Sequence, residues 1–157
     1  MSAGEGIKIV SDNRKARHNY SLEDRVEAGL VLTGTEVKSL REGKASLQDS
    51  YAIFRGSELY LLNAHIPPYK LGNRANHEPE RSRKCLLHRE ELEKLRVRLE
   101  GTGYSLIPTK LYFKKGIAKV ELALGRGKKS HDKREAIKER DAKRQMARVS
   151  RLTRRSG

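Results

Sequence analysis

Along YSLEDRVEAGLVL, residues 20–32, the side chains Tyr20, Leu22, Val26, Leu30 and Leu32 fall on even positions, the two-residue period of a half-buried strand. Gly29 interrupts the run and predicts either a bulge or a close backbone approach. In the next stretch, TGTEVKSLREGKAS, Val37 and Leu40 are spaced as on one face of a short helix, punctuated by Gly34 and Gly43. DSYAIF and ELYLLNAHI flank Arg55-Gly56-Ser57 and predict a hairpin. Tyr51 faces either core or solvent, with core preferred on pattern alone. Pro67-Pro68 stops the second strand, and a long polar loop follows through residue 83. KCLLH is a short strand or the lead-in to HREELEKLRVRLEGTG, the clearest helix of the chain. There Leu92, Leu95 and Leu99 form one stripe, Glu90 and Glu91 lie in the first turn, and Gly101 ends it. SLIPTKLYF and IAKVELAL are joined by Lys114-Lys115-Gly116. In the second of them Ala118, Val120, Leu122 and Leu124 alternate with Lys119 and Glu121, as in an antiparallel strand with one buried face.

About six short strands and two helices, without regular strand–helix alternation, argue against a doubly wound sheet. The expected class is mainly β with peripheral helices. A small closed or nearly closed antiparallel barrel would remove the edges such strands otherwise expose. The expected division is a loose leader over 1–12, a folded domain over 13–125 and a tail over 126–157.

Charge changes the picture most in that tail. It holds 13 of the 35 Lys and Arg against 4 of the 20 acids, a formal +9 out of the chain's +15. It has no aromatic residue and no proline, and its sizeable apolar side chains are Ile137, Met146, Val149 and Leu152. Such a segment buries too little surface to offset its ordering entropy, so the composition predicts a tail disordered when free. Acids interleave its bases, and Glu139–Lys143 has favourable i,i+4 order, but each such pair contributes only ~0.2–0.5 kcal/mol. A nonspecific electrostatic arm, a solubilising tail and a segment that folds on an RNA all remain open, with folding on binding preferred.

A pI near 10 points to nucleic acid or an anionic membrane surface. No apolar run approaches the roughly 20 residues of a spanning helix, and the first residues have neither a basic nor an apolar signal region. The lone Cys85 has no partner for a disulfide or metal site and suits a small buried hydrophobe. The expectation is a cytoplasmic RNA-binding protein without membrane contact or cofactor.

No catalytic set emerges. The five histidines are scattered, and GRGKKSH lacks the spacing of a phosphate loop. In RKARHNY, Arg14, Lys15 and Arg17 are candidate phosphate contacts and His18 and Tyr20 candidate stacking partners, unless the segment is simply a solvated basic edge. Glu27 faces away from Val26 and Leu30; a carboxylate there is either a solvated charge or an acceptor for base edges.

The stretches NRKARHNY, EAGLVLTGTEVKSLREGKASLQDSY, HIPPYKLGN, RSRKCLLHREEL and LIPTKLYFKKGIAKVELALGRGKKSHDKR together resemble the SmpB family of SsrA-binding proteins, with GTEVKSLR and GKKSHDKR the most specific. The resemblance implies an oligonucleotide-binding-like β-barrel and no catalysis. It implies binding to the tRNA-like domain of transfer-messenger RNA in place of the missing anticodon arm. It further implies delivery to the stalled ribosome's A site with elongation factor Tu, the tail becoming helical in the decoding centre and empty messenger channel. By motif, Asn13, Glu27, Leu86 and Lys119 match RNA-binding positions. His18 and, with it, Tyr51 match the ribosome-facing side, and Gly127, Lys128, Lys129, Asp132, Lys133 and Arg134 match the segment needed on the ribosome. Cys85 departs from the family's usual aliphatic residue, and beyond Arg140 little motif remains to align.

Overall fold

In the computed structural model, which describes residues 6–72 and 76–127, seven strands and three helices occupy the described residues. In chain order they are β1 (Ile7–Asp12), α1 (Arg14–Asn19), β2 (Tyr20–Leu30), α2 (Gly34–Arg41), β3 (Tyr51–Arg55), β4 (Glu58–Leu62), β5 (Arg83–Leu86), α3 (Arg89–Leu99), β6 (Ser105–Lys114) and β7 (Ile117–Gly127). Every strand pairing is antiparallel, so the mainly β class with a few helices is observed. The pairings run β6–β3–β4–β5–β2–β7 and back to β6, with β1 added on β6 outside that ring. The narrowest joints are β3–β6, held by Ala52↔Leu106, and β2–β5, held by Gly29↔Leu86 and Leu30↔Cys85.

Turn chemistry closes the two predicted hairpins. Gly56, the first residue of the β3–β4 turn, has φ +63°, and Lys115 and Gly116 between β6 and β7 both have positive φ, the geometry that matches the strands' right-handed twist. Inside the ring, Ala28, Leu59, Leu61, Leu106, Leu111, Val120, Leu122 and Leu124 are fully buried, and Leu40 of α2 and Leu95 of α3 join them. Each such leucine contributes roughly 1.5–3 kcal/mol by leaving water. Cys85 lies in this core at 3% exposure, and burial pushes its thiol up to about 12, so it packs as a hydrophobe and is a poor nucleophile.

Three local expectations are corrected. The loose leader is not loose over residues 7–12, which form β1 and pair from Ile7↔Lys114 to Asp12↔Lys110; Ile7, Ile9 and Val10 favour a strand, and the edge of β6 supplies its hydrogen bonds. The even-position stripe of β2 does not stay on one face. An extra residue at Asp24–Arg25, where Asp24 takes φ +53°, shifts the register between Glu23 and Val26. Val26 and Leu30 therefore pack with the core, while Tyr20 and Leu22 turn outward beside Ile107. Gly29 is the close approach rather than the bulge, since a Cβ there would stand 3.4 Å from Leu86 Cβ.

The specific GTEVKSLR motif has a structural reason. Thr33 and Glu36 form a reciprocal capping box at the start of α2. The fully buried Glu36 carboxylate also accepts from Arg81 Nε (3.1 Å) and Nη2 (2.7 Å) and from Arg83 Nε (2.7 Å). Arg83, equally buried, spends its remaining donors on the carbonyls of Ala64 (2.7 Å), Pro79 (3.0 Å) and Glu78 (3.4 Å). Burial alone would raise the Glu36 pKa, but the Arg81, Thr33 and Arg83 contacts outweigh it and hold the carboxyl at about 2. Nearby, the buried His77 ring receives the Thr35 hydroxyl at Nδ1 (2.9 Å) and donates from Nε2 to the Ile66 carbonyl (2.8 Å), fixing its tautomer.

Candidate nucleic-acid interface

On the outer face of the ring, register alone brings four positions into one row. Tyr112 of β6 stands opposite Lys119 of β7, Lys119 opposite Gly29 of β2, and Gly29 opposite Leu86 of β5. Each step is one interstrand spacing, about 4.8 Å, so the row spans roughly 14 Å. Glu27 lies two residues along β2 from Gly29 and so shares this face. Glu27, Gly29, Leu86 and Lys119, together with Leu87, His88 and Glu91, line a groove of about 420 Å³.

The groove's chemistry is mixed. Leu86 is 50% exposed, a large apolar side chain left in water beside the side-chain-free Gly29. Lys119 has no ion-pair partner among the described residues. One oxygen of Glu27, Oε2, accepts a short hydrogen bond from the Tyr112 hydroxyl and faces Lys114 Nζ at 3.5 Å. Burial, reinforced by the Glu27 charge, pushes the Tyr112 phenol above its ordinary value, so it remains a donor. Oε1 of Glu27 has no partner among the described residues, and Glu27 is one of the residues that line the groove.

Three of the sequence-predicted RNA positions, Glu27, Leu86 and Lys119, thus converge. Asn13 does not join them. It is 6% exposed, and Pro108 explains why: proline cannot donate to the ladder, and β6 slips register between Pro108 and Lys110. Asn13 takes up carbonyls at that slip, its Nδ2 donating to Pro108 O (2.8 Å) and its backbone N–H to Thr109 O (2.8 Å), and Nδ2 also reaches Leu47 O (3.3 Å) in the loop before β3. Its Oδ1 accepts from Ala16 N (3.2 Å) and caps α1. Asn13 is therefore an anchor for α1, placed away from the groove. Asn13→Ala should lower stability by about 1–3 kcal/mol, through a lost cap and orphaned buried carbonyls. A urea midpoint equal to wild type, with RNA binding weakened, would make it a contact instead.

α1 carries a second set. RKARHNY, expected only as a basic segment before the first strand, is helical over Arg14–Asn19. Arg14 is exposed, Arg17 pairs with Asp12, and Lys15 reaches Asp49 at 3.1 Å, exposed contacts that contribute little stability. His18 is exposed in the last turn. Beside α1, a cleft of about 340 Å³ is lined by residues including Lys15, Asn19, Tyr20 and Tyr51. The core position that pattern assigns to Tyr51 is corrected, because the side chain is 38% exposed and opens onto this cleft.

Gly127, where the tail begins, pairs with Tyr20 at the α1 end of β7. Eight residue steps of β7 separate it from Lys119, about 26 Å of strand. The groove and the α1 cleft are therefore distinct places, and the chain leaves the described fold beside the second. Lys128, Lys129, Asp132, Lys133 and Arg134 lie outside the described residues.

Sequence reading missed Tyr112 and Lys114, the partners of Glu27. The strand alternation of β6 marks their type, but only the pairing of β6 with β7 and of β7 with β2 reveals their target. Among the described residues, no three His, Cys, Asp or Glu side chains cluster to hold a metal ion, and no helix is long and apolar enough to cross a membrane.

The family model described as SmpB protein matches residues 10–152. An SsrA-binding protein of Geobacter sulfurreducens is 54% identical over 146 residues, covering 93% of this chain and 95% of the relative. Those of Trichodesmium erythraeum and Thermobifida fusca are 56% and 55% identical, covering 94% and 96% of this chain and 95% and 94% of their own. A chain solved in the work described as "tmRNA-SmpB: a journey to the center of the bacterial ribosome" superposes with a TM-score of 0.65 at 48% identity, over 78% of this chain and 85% of that one.

Proposed function

The chain belongs to the SmpB family, and from that premise we propose that its two outer surfaces divide the work of ribosome rescue. It is an RNA-binding protein of trans-translation that works with transfer-messenger RNA and the ribosome. The finer reading assigns capture of the tRNA-like domain to the groove of Glu27, Leu86 and Lys119. There Lys119 neutralises phosphate and Leu86 packs against a base or sugar. The ring of strands acts as an oligonucleotide-binding-like barrel and fills the place of the absent anticodon arm. Arg14 and Arg17 contact RNA phosphates from α1, and His18 and Tyr51 face the small-subunit decoding centre. The segment from Gly127 through Arg134 and onward enters the empty messenger channel, folding as a helix once phosphates neutralise its cations. Elongation factor Tu joins through the alanylated RNA, and the setting is the cytoplasm.

The observation that carries the reading is the register that converges Glu27, Leu86 and Lys119 on one outer face while Gly127 ends β7 at the other end. Lys119→Glu tests it. Capture of transfer-messenger RNA should weaken roughly tenfold or more, and the slope of log K against log salt should fall by about one, with the thermal midpoint unchanged. Wild-type affinity in that variant would remove the groove from the interface.

A further inference from the structure

We propose that the groove is a slot for a single unpaired guanine, read by the Glu27 carboxylate. This rests on the groove being the RNA-capturing surface and goes further by specifying the base. A carboxylate can only accept hydrogen bonds, so it selects an edge that offers donors. Among the four RNA bases, guanine alone presents two adjacent donors on its Watson–Crick edge, N1–H and the N2 amino group. Adenine and cytosine place an unprotonated ring nitrogen beside their amino group, and uracil flanks its one N–H with two carbonyls. Each would set a lone pair against the carboxylate. Watson–Crick edges are free in single-stranded loops, where RNA is commonly read.

The surroundings suit such a base. Tyr112 and Lys114 both engage Oε2, which holds the carboxylate in place, while Oε1, without a partner among the described residues, offers two lone pairs, one for each guanine donor. Tyr112 is therefore a positioning residue. Gly29 puts no side chain of its own between Lys119 and Leu86, whose strands lie two interstrand spacings or about 10 Å apart, and the Leu86 side chain leans over it, giving an apolar floor on which a planar base can lie. Leu86 and His88 offer apolar and aromatic surface at one side, and Lys119 a cation for the adjoining phosphate at the other. An arginine of a protein partner could also satisfy a carboxylate, but a groove that includes Lys119, without an ion-pair partner among the described residues, on a body of the same sign disfavours it.

The test is inosine interference mapping on transfer-messenger RNA, since inosine lacks only the N2 amino group of guanosine. RNA carrying scattered inosine is sorted into bound and unbound fractions with wild-type protein, Glu27→Gln, Tyr112→Phe and Gly29→Val, each first shown to unfold near the wild-type temperature. The expected result is depletion of inosine from the bound fraction at one unpaired guanosine, on the order of tenfold. Glu27→Gln should abolish the depletion at that position alone, Tyr112→Phe should reduce it, and Gly29→Val should weaken binding by displacing the Leu86 side chain that covers Gly29. If the depletion persists unchanged with Glu27→Gln, or inosine is tolerated everywhere while Glu27→Gln and Lys119→Glu still weaken capture, the guanine assignment is overturned and the groove reading survives. If neither substitution weakens capture, both fail.

Discussion

Replacing Glu36 with alanine is expected to cost the fold about 3–5 kcal/mol, a large share of the roughly 5–15 kcal/mol that holds a domain of this size together. The size follows from what would be left behind. Arg83 is fully buried, and although burial draws its pKa down, an arginine keeps its proton, so it would retain a charge with only backbone carbonyls around it. Arg81 would lose two hydrogen bonds, and the Thr33 cap its reciprocal partner. Urea unfolding followed by circular dichroism should show the midpoint falling by about 1 M or more. A loss below about 1 kcal/mol would mean that the buried ion network contributes specificity but little stability.

The same network sets a pH dependence. Glu36 sits at about 2 in the fold against 4.5 as its ordinary value, so the folded state favours the carboxylate. Its contribution is fully present above pH 4.5 and is lost as pH falls from there through 2. The difference corresponds to roughly 3 kcal/mol. In Glu36→Gln the stability curve should flatten in that window and leave the region above pH 5 parallel to wild type.

A chain ending at Gly127 is expected to capture transfer-messenger RNA within about threefold of the full protein and to give no peptide tagging on stalled ribosomes. The cut follows the last residue of β7 and leaves the Tyr20↔Gly127 pair, the core and the groove intact. It removes nearly all of the segment that carries +9 of the chain's +15. A polycation of that density would dominate a purely electrostatic capture, so its dispensability is the sharper claim. Tagging at the wild-type rate by the shortened chain would refute the assignment of residues 128–157 to the ribosome.

Much of the fold was legible where the determining signal was local. The leucine stripe and acidic first turn of α3, the Arg55-Gly56-Ser57 turn and the alternation in β7 each carry their own cause within about ten residues. The elements that were missed depend on distant partners. β1 exists because β6 offers it an edge, and α1 because the buried Asn13 caps it and ties it to the bulge that Pro108 forces. The outward turn of Tyr20 and Leu22 depends on one extra residue at Asp24, which no period-two count reveals. The site divides the same way. The outward parity of Glu27 was visible in its own strand, but its meeting with Tyr112, Lys119 and Leu86 is the sum of three registers. Asn13, grouped with them by motif, supports the fold from inside.

Salt dependence of capture measures the division of labour between groove and tail most directly. Log K for transfer-messenger RNA is plotted against log salt for the full chain and the chain ending at Gly127. Each phosphate neutralised adds roughly 0.7 to 0.9 to the slope. The slopes are predicted to agree within about one unit, with Lys119→Glu lowering both. A shortened chain whose slope is shallower by several units, with affinity lost in proportion, would place RNA capture on the tail and contradict the account.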